Sequence, residues 1–117
     1  MKFRVIIAGG RNFNDYILLK QKCSEILRNK TNVEIVCGMA SGADSLGKKF
    51  GEEMGYPVAK FPADWNKFKK SAGYKRNAQM AENADALVAF WDGKSKGTGH
   101  MIDIAKEKNL LIRIILY

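Results

Sequence analysis

Cysteine, proline and histidine are scarce in this sequence, and each scarcity excludes something. The two cysteines, Cys23 and Cys37, have no metal-ligand spacing, so a disulfide framework and a zinc site are both out. Free thiols fit a reducing compartment, and a cytoplasmic protein with no bound metal or cofactor is expected. Only Pro57 and Pro62 interrupt the chain, and nothing reads as a linker or a low-complexity tract. The single histidine, His100, has no carboxylate or cysteine partner in view and is read as non-catalytic. No apolar run approaches the roughly 20 residues of a membrane span, and the run Val5 to Ala8 is too short for a signal peptide. Signatures of chemistry are missing too. There is no GxxxxGK[ST] phosphate loop, no GxSxG elbow and no carboxylate pair at a recognisable spacing.

Positive charge, by contrast, is plentiful. The 117 residues, enough for one domain with one core, carry a formal net charge of +8. Such a balance favours anionic partners, although lysines also serve simply to solvate a surface. Lys67, Lys69, Lys70, Lys75 and Arg76 form the densest group.

The stretch from Val33 to Met54 organises the reading. Val33, Ile35 and Val36 are β-branched and strand-forming. Gly38, Ala40, Ser41, Gly42 and Ala43 follow with almost no side-chain bulk. Ala43, Leu46, Gly47, Phe50 and Met54 then recur at helical spacing. A strand entering a helix through such a turn points free N–H groups outward at the positive end of the helix dipole, which suits a phosphate.

The rest of the chain repeats this alternation. Phe3 to Ala8 reads as a strand buried on both faces, ended by Gly9-Gly10-Arg11. Asn14 or Asp15 caps a helix whose Leu19, Cys23, Ile26 and Leu27 share a face. Gly55-Tyr56-Pro57 stops the second helix, and Val58 to Phe61 is a third strand. Pro62 to Lys70 reads as an irregular basic loop with two aromatics, and Ser71 as the cap of a helix to about Asn83. Ala86 to Phe90 is a fourth strand, Trp91 to Gly99 a second glycine-rich turn, and Leu111 to Leu116 closes the chain after a last helix. These alternations predict an α/β fold: a three-layer, Rossmann-like, five-stranded parallel sheet of order 3-2-1-4-5 with helices on both faces, as one domain over residues 1–117. The turns after strands one, two and four then converge at the carboxyl edge of the sheet.

Candidate ligand residues follow from those turns. Gly9, Gly10 and Arg11 place a guanidinium, which holds phosphate through paired bonds, beside flexible backbone. Gly38, Ser41, Gly42 and Ala43 offer backbone N–H groups, and Asp44 suits a ribose hydroxyl or an amine better than a phosphate. Arg76 and Asn77 stand on the fourth-strand-side helix. Trp91 is a candidate to stack on a base and Asp92 an acceptor, while Gly93, Ser95, Gly97, Thr98 and Gly99 supply small donors.

AGGRNF, GMASGAD, YKRNAQM and WDGKSKGTGHMI, in this order, resemble the SLOG superfamily, and most of all its YspA-type branch of small domains found in bacteria and phages. The resemblance covers nearly the whole chain. It implies a Rossmann-like fold that binds nucleotides or nucleotide-derived ligands, including NAD- or ADP-ribose-like ones. It aligns Gly38, Ser41, Gly42 and Asp44 with the first phosphate-side turn, Arg76 and Asn77 with a basic pair, and Gly93, Gly97 and Thr98 with the second turn. LOG-type members cleave a base from a nucleoside monophosphate and carry a glutamate where this chain has Met101, and a thioether can neither transfer a proton nor stabilise a developing cation.

Three functions therefore compete: a nucleotide-like ligand bound for sensing, sequestration or processing; a nucleotide N-glycosidase; and single-stranded nucleic-acid binding by the basic aromatic stretch, which ranks last. The oligomeric state is open, with a homo-oligomer as one expectation. Because Met101 occupies the glutamate position, prolonged incubation with nucleoside monophosphates is expected to leave their chromatograms unchanged. Free base released by the protein and lost in Arg76→Ala would instead establish the hydrolase.

Overall fold

An unbroken apolar run such as Val5 to Ala8 is stable only where both faces of a strand are covered, because successive side chains point to opposite sides. The computed structural model, which describes all 117 residues, has this arrangement. Strands β1 (Phe3–Gly9), β2 (Val33–Cys37), β3 (Val58–Lys60), β4 (Ala86–Trp91) and β5 (Leu111–Leu116) form one parallel sheet in the order β3-β2-β1-β4-β5.

Alternate residues of the central strands divide the core in two. Val5 and Ile7 of β1 join Leu19, Cys23 and Leu27 of α1 (Tyr16–Leu27) and Phe50 of α2 (Ala43–Met54) on one face. Ile6 and Ala8 join Met80 and Ala81 of α4 (Ala72–Glu82) and Met101, Ile102 and Ala105 of α5 (Lys96–Glu107) on the other. The three-layer fold expected from the alternation is present, and the switch in strand order falls between β1 and β4.

Local chemistry sets the ends of the elements. The Asp15 side chain accepts from Leu18 N at 3.0 Å and caps α1. Gly55, at φ 74°, lets α2 close through the Gly55 and Tyr56 N–H groups. Two expectations need correction. The stretch after Pro62 is not irregular: Asp64 accepts from Lys67 N at 3.1 Å and starts a short helix, α3 (Trp65–Phe68), which runs through a 3-10 turn into α4. Ser71 does not cap α4, since its hydroxyl donates back to the Phe68 carbonyl at 2.8 Å.

Gly47 is where α2 comes closest to the sheet. A Cβ there would lie 2.7 Å from Ile7 Cγ2 and 2.8 Å from Ile7 Cβ, a branch point that cannot swing away. Overpacking typically costs about 1–3 kcal/mol and alanine returns about 1 kcal/mol of helix propensity, so Gly47→Ala is expected to gain nothing and to lose up to about 2 kcal/mol. Gly97→Ala, with open space around it, is expected to lose nothing. Urea denaturation at unchanged m-value checks both.

Candidate functional site

The three turns meet because bare backbone lets them. A Cβ on Gly42 would collide with the Gly10 carbonyl oxygen, and one on Gly9 with the Phe90 carbonyl oxygen. The Gly10 carbonyl, brought this close, accepts the Ala43 N–H at 3.2 Å. The first helical turn of α2 is thus docked onto the turn after β1, and the turn after β4 lies beside it.

Between them opens a cavity of about 520 Å³ at the carboxyl edge of the sheet, over the switch point. Of the residues singled out in the sequence, Gly9, Gly10, Arg11, Asp44, Arg76, Asn77, Asp92, Ser95, Gly97 and Thr98 line it. Gly38 and Ser41 line a smaller adjoining compartment of about 270 Å³. Gly42 and Ala43 line neither: they form the joint between turns, and the Ala43 N–H is already taken. Gly93 is exposed at φ 81° and serves the shape of its loop.

Trp91 does not reach the cavity. It follows Leu87 and Ala89 on the α4/α5 side of β4, and its indole N–H donates to the Ser95 carbonyl at 3.0 Å. With Gly99 it borders a separate surface hollow. The aromatic walls are instead Trp65 and Tyr74, from the segment between β3 and α4. Ala8, Asn12, Ala40, Gly73, Met80 and Met101, with Lys70 from the basic stretch, complete the lining. The concentration of lysine and aromatic residues from Trp65 to Tyr74 reads from the sequence as a cationic stretch bordering the crevice, and Trp65, Lys70 and Tyr74 of it line the cavity.

The electrostatics are uneven. Asp44 is only 5% exposed, and burial raises its carboxyl above the usual range, countered by the Ala40 N–H at 3.2 Å and by the nearby Arg76 and Arg11. Burial depresses the half-buried Arg76 guanidinium, and Asp44 works in the opposite direction. Arg76 is held by neutral acceptors: Nη1 donates to the Gly38 carbonyl, and Nε to Asn77 Oδ1 at 3.0 Å. Asn77 is oriented in turn by its Nδ2, which reaches the Gly97 carbonyl at 3.4 Å and His100 Nδ1 at 3.2 Å. Neither Arg11, Lys70 nor Arg76 forms a salt bridge. Arg11 lies over the Trp65 ring, 5.9 Å from its centroid.

Asp92 shapes the second turn. One oxygen accepts from Lys94 N at 2.9 Å and Ser95 N at 2.8 Å, and these bonds hold the carboxyl below its usual range. No group of three or more His, Cys, Asp or Glu side chains is placed to hold a metal ion.

A parallel α/β sheet with a cation-lined crevice at its switch point defines the class: a Rossmann-like domain of the SLOG type. Residues 3–68, more than half of the chain, match the YspA, cpYpsA-related SLOG family (YAcAr), and the chain belongs to that family. Among solved structures, the X-ray structure of DNA processing protein A (DprA) from Streptococcus pneumoniae is similar at TM-score 0.76 and 14% identity, over 97% of this chain and 50% of that one. The X-ray structure of TM1055, a structural-genomics target, is similar at TM-score 0.68 and 21% identity, over 96% of this chain and 72% of that one. This chain thus spans half the length of the DprA chain, and at these identities the likeness is one of fold. No curated protein matches the sequence.

Because Asp92 bonds its loop as a carboxylate, its folded-state pKa lies below the unfolded one. Its contribution is present above the unfolded value and disappears as pH falls through the folded one. The Lys94 and Ser95 amide proton resonances are therefore expected to titrate together, with a midpoint below that of an ordinary aspartate, and the titration is expected to vanish in Asp92→Asn.

Proposed function

We propose that the crevice binds a nucleotide or nucleotide-derived anion, for sensing, sequestration or processing. The observation that carries this reading is the pair of guanidiniums, Arg11 and Arg76, facing the cavity with no carboxylate in salt-bridge range. A half-buried cation held by carbonyl oxygens, with Asp44 near but outside salt-bridge range, keeps charge that an arriving anion would compensate. Arginine forks match phosphate geometry and bind it bidentately. Trp65 and Tyr74 offer faces for a base, and Asp44 and Asp92 accept from sugar hydroxyls. Family membership supports the same reading.

The position of Met101 weighs against base release. Its side chain is 1% exposed, packed among Met80 and Ile102, and lines the cavity where LOG-type relatives carry a glutamate. One observation favours a second reading, single-stranded nucleic acid. Trp65 and Tyr74 are 49% and 46% exposed at the rim, beside the Lys67, Lys69, Lys70 and Lys75 cluster. Steeply salt-dependent binding of an oligonucleotide in a gel shift would support it, and its absence at low salt would remove it.

Calorimetry with AMP, ADP-ribose and NAD tests the main reading: at least one is expected to bind below millimolar concentration, and Arg76→Ala is expected to weaken it by tenfold or more. Silence from all three at millimolar concentration sinks it. Asp44→Asn separates the roles within the site. It is expected to tighten inorganic phosphate, by removing a nearby like charge, and to weaken the nucleotide, by removing a hydroxyl acceptor.

A further inference from the structure

His100 is the single histidine of the chain, and the site uses it at one remove. Its half-buried ring borders the surface hollow beside α5 and reaches the crevice through Asn77. The direction of that hydrogen-bond chain is forced from one end. Arg76 Nε carries a hydrogen and cannot accept, so the Asn77 atom 3.0 Å from it is the amide oxygen. The other Asn77 atom is therefore the NH₂ group, which only donates. It sits 3.4 Å from the Gly97 carbonyl and 3.2 Å from His100 Nδ1. His100 Nδ1 must accept, and the proton of the neutral imidazole stands on Nε2.

We propose that His100 is a positioning residue that holds Arg76 in place only while its imidazole is neutral, so that the crevice loosens its grip on an anion as the ring protonates. The inference rests on the reading of the crevice as an anion site and adds its regulation. Protonation puts a hydrogen on Nδ1, where it meets the Asn77 NH₂ group donor to donor. Tyr74 is packed against the ring, centroids 4.5 Å apart, and opposes its swinging aside. Turning the Asn77 amide over relieves that clash and creates two others. The NH₂ group then faces Arg76 Nε–H, and the amide oxygen faces the Gly97 carbonyl. Asn77 is 6% exposed, so water does not replace the lost bonds. Arg76 then keeps only the Nη1 bond to the Gly38 carbonyl.

The charged groups around the ring are few. The turn after β4 brings Lys94, the ring's own helix Lys96, Asp103 and Lys106, and α4 brings Tyr74 and, behind Asn77, Arg76. β4 and β5 border the hollow with Trp91 and Ile114, neither of which titrates. Asp103 is the one carboxylate, and the ring's hydrogen bond goes to Asn77 instead. The hollow, of about 430 Å³, opens the ring to solvent, so a proton reaches it without crossing the crevice.

The test is NMR on the whole isotope-labelled chain without ligand, between about pH 8 and pH 5, the interval a histidine spans. The neutral ring is expected to carry its proton on Nε2, and the Arg76 Nε–H resonance to broaden with the midpoint of the imidazole. His100→Asn keeps an acceptor at the position of Nδ1 and does not titrate, and it is expected to hold the Arg76 resonance unchanged throughout. Sulfate, a dianion across this range, supplies the binding readout by calorimetry. Its affinity is expected to fall about threefold or more on acidification, and not to fall in His100→Asn. Asp44 works with the opposite sign, since its protonation removes a negative charge beside the anion. A proton found on Nδ1 of the neutral ring, or an Arg76 resonance indifferent to the titration of His100, overturns the proposal. So does the same pH dependence in His100→Asn. Sulfate that binds at neither pH, while the Arg76 resonance follows the imidazole, removes the anion reading and leaves the positioning of Arg76 standing.

Discussion

Everything at the carboxyl edge depends on the approach of two stretches of bare backbone. Gly42 stands against the Gly10 and Arg11 carbonyls where a single Cβ would not fit. That contact lets the Ala43 N–H reach the Gly10 carbonyl and pins the start of α2 to the turn after β1. With that joint in place, Asp44 is buried at the edge of the cavity and the Gly38 carbonyl is presented to Arg76. Without it, the turns after β1 and β2 would be two separate bends. Backbone packing at this joint is what converts a stable sheet into a shaped crevice.

The second constraint is electrostatic. Arg76 is fixed by the Gly38 carbonyl and the Asn77 side chain, and Asn77 by the Gly97 carbonyl and His100. Both direct partners of Arg76 are neutral acceptors. Orientation is thereby obtained without neutralisation, and the guanidinium stays a cation facing the cavity. Asp44, close by but outside salt-bridge range, tempers the field without cancelling it. His100 supports a supporting residue, in keeping with its having no carboxylate or cysteine partner.

Much of the fold was legible in the chain. Val5 to Ala8 and Ala86 to Phe90 are apolar runs that only a doubly covered sheet accommodates, and the helical patterns between the strands leave a parallel order with one switch point. The glycine-rich turns were legible as well, since small residues after a strand mark close approach. Trp91 was harder to place. Its position after a strand put it near the crevice, but strand pleating points it to the α4/α5 side with Leu87 and Ala89. Trp65 takes the place at the cavity because Asp64 nucleates a short helix that turns the β3–α4 connection over the site. That event depends on one side-chain cap and on packing against distant turns, and no periodic pattern announces it.

Residue patterning alone determined the layers and the strand order, because burial periodicity and backbone freedom are local properties written in consecutive residues. Tertiary structure alone decided which glycines face the cavity and which serve as joints, which tryptophan forms a wall, and that Arg11 and Arg76 stand between two compartments without carboxylate partners. Those outcomes depend on side-chain direction and on distances between residues far apart in the chain, and these exist only once the sheet has closed.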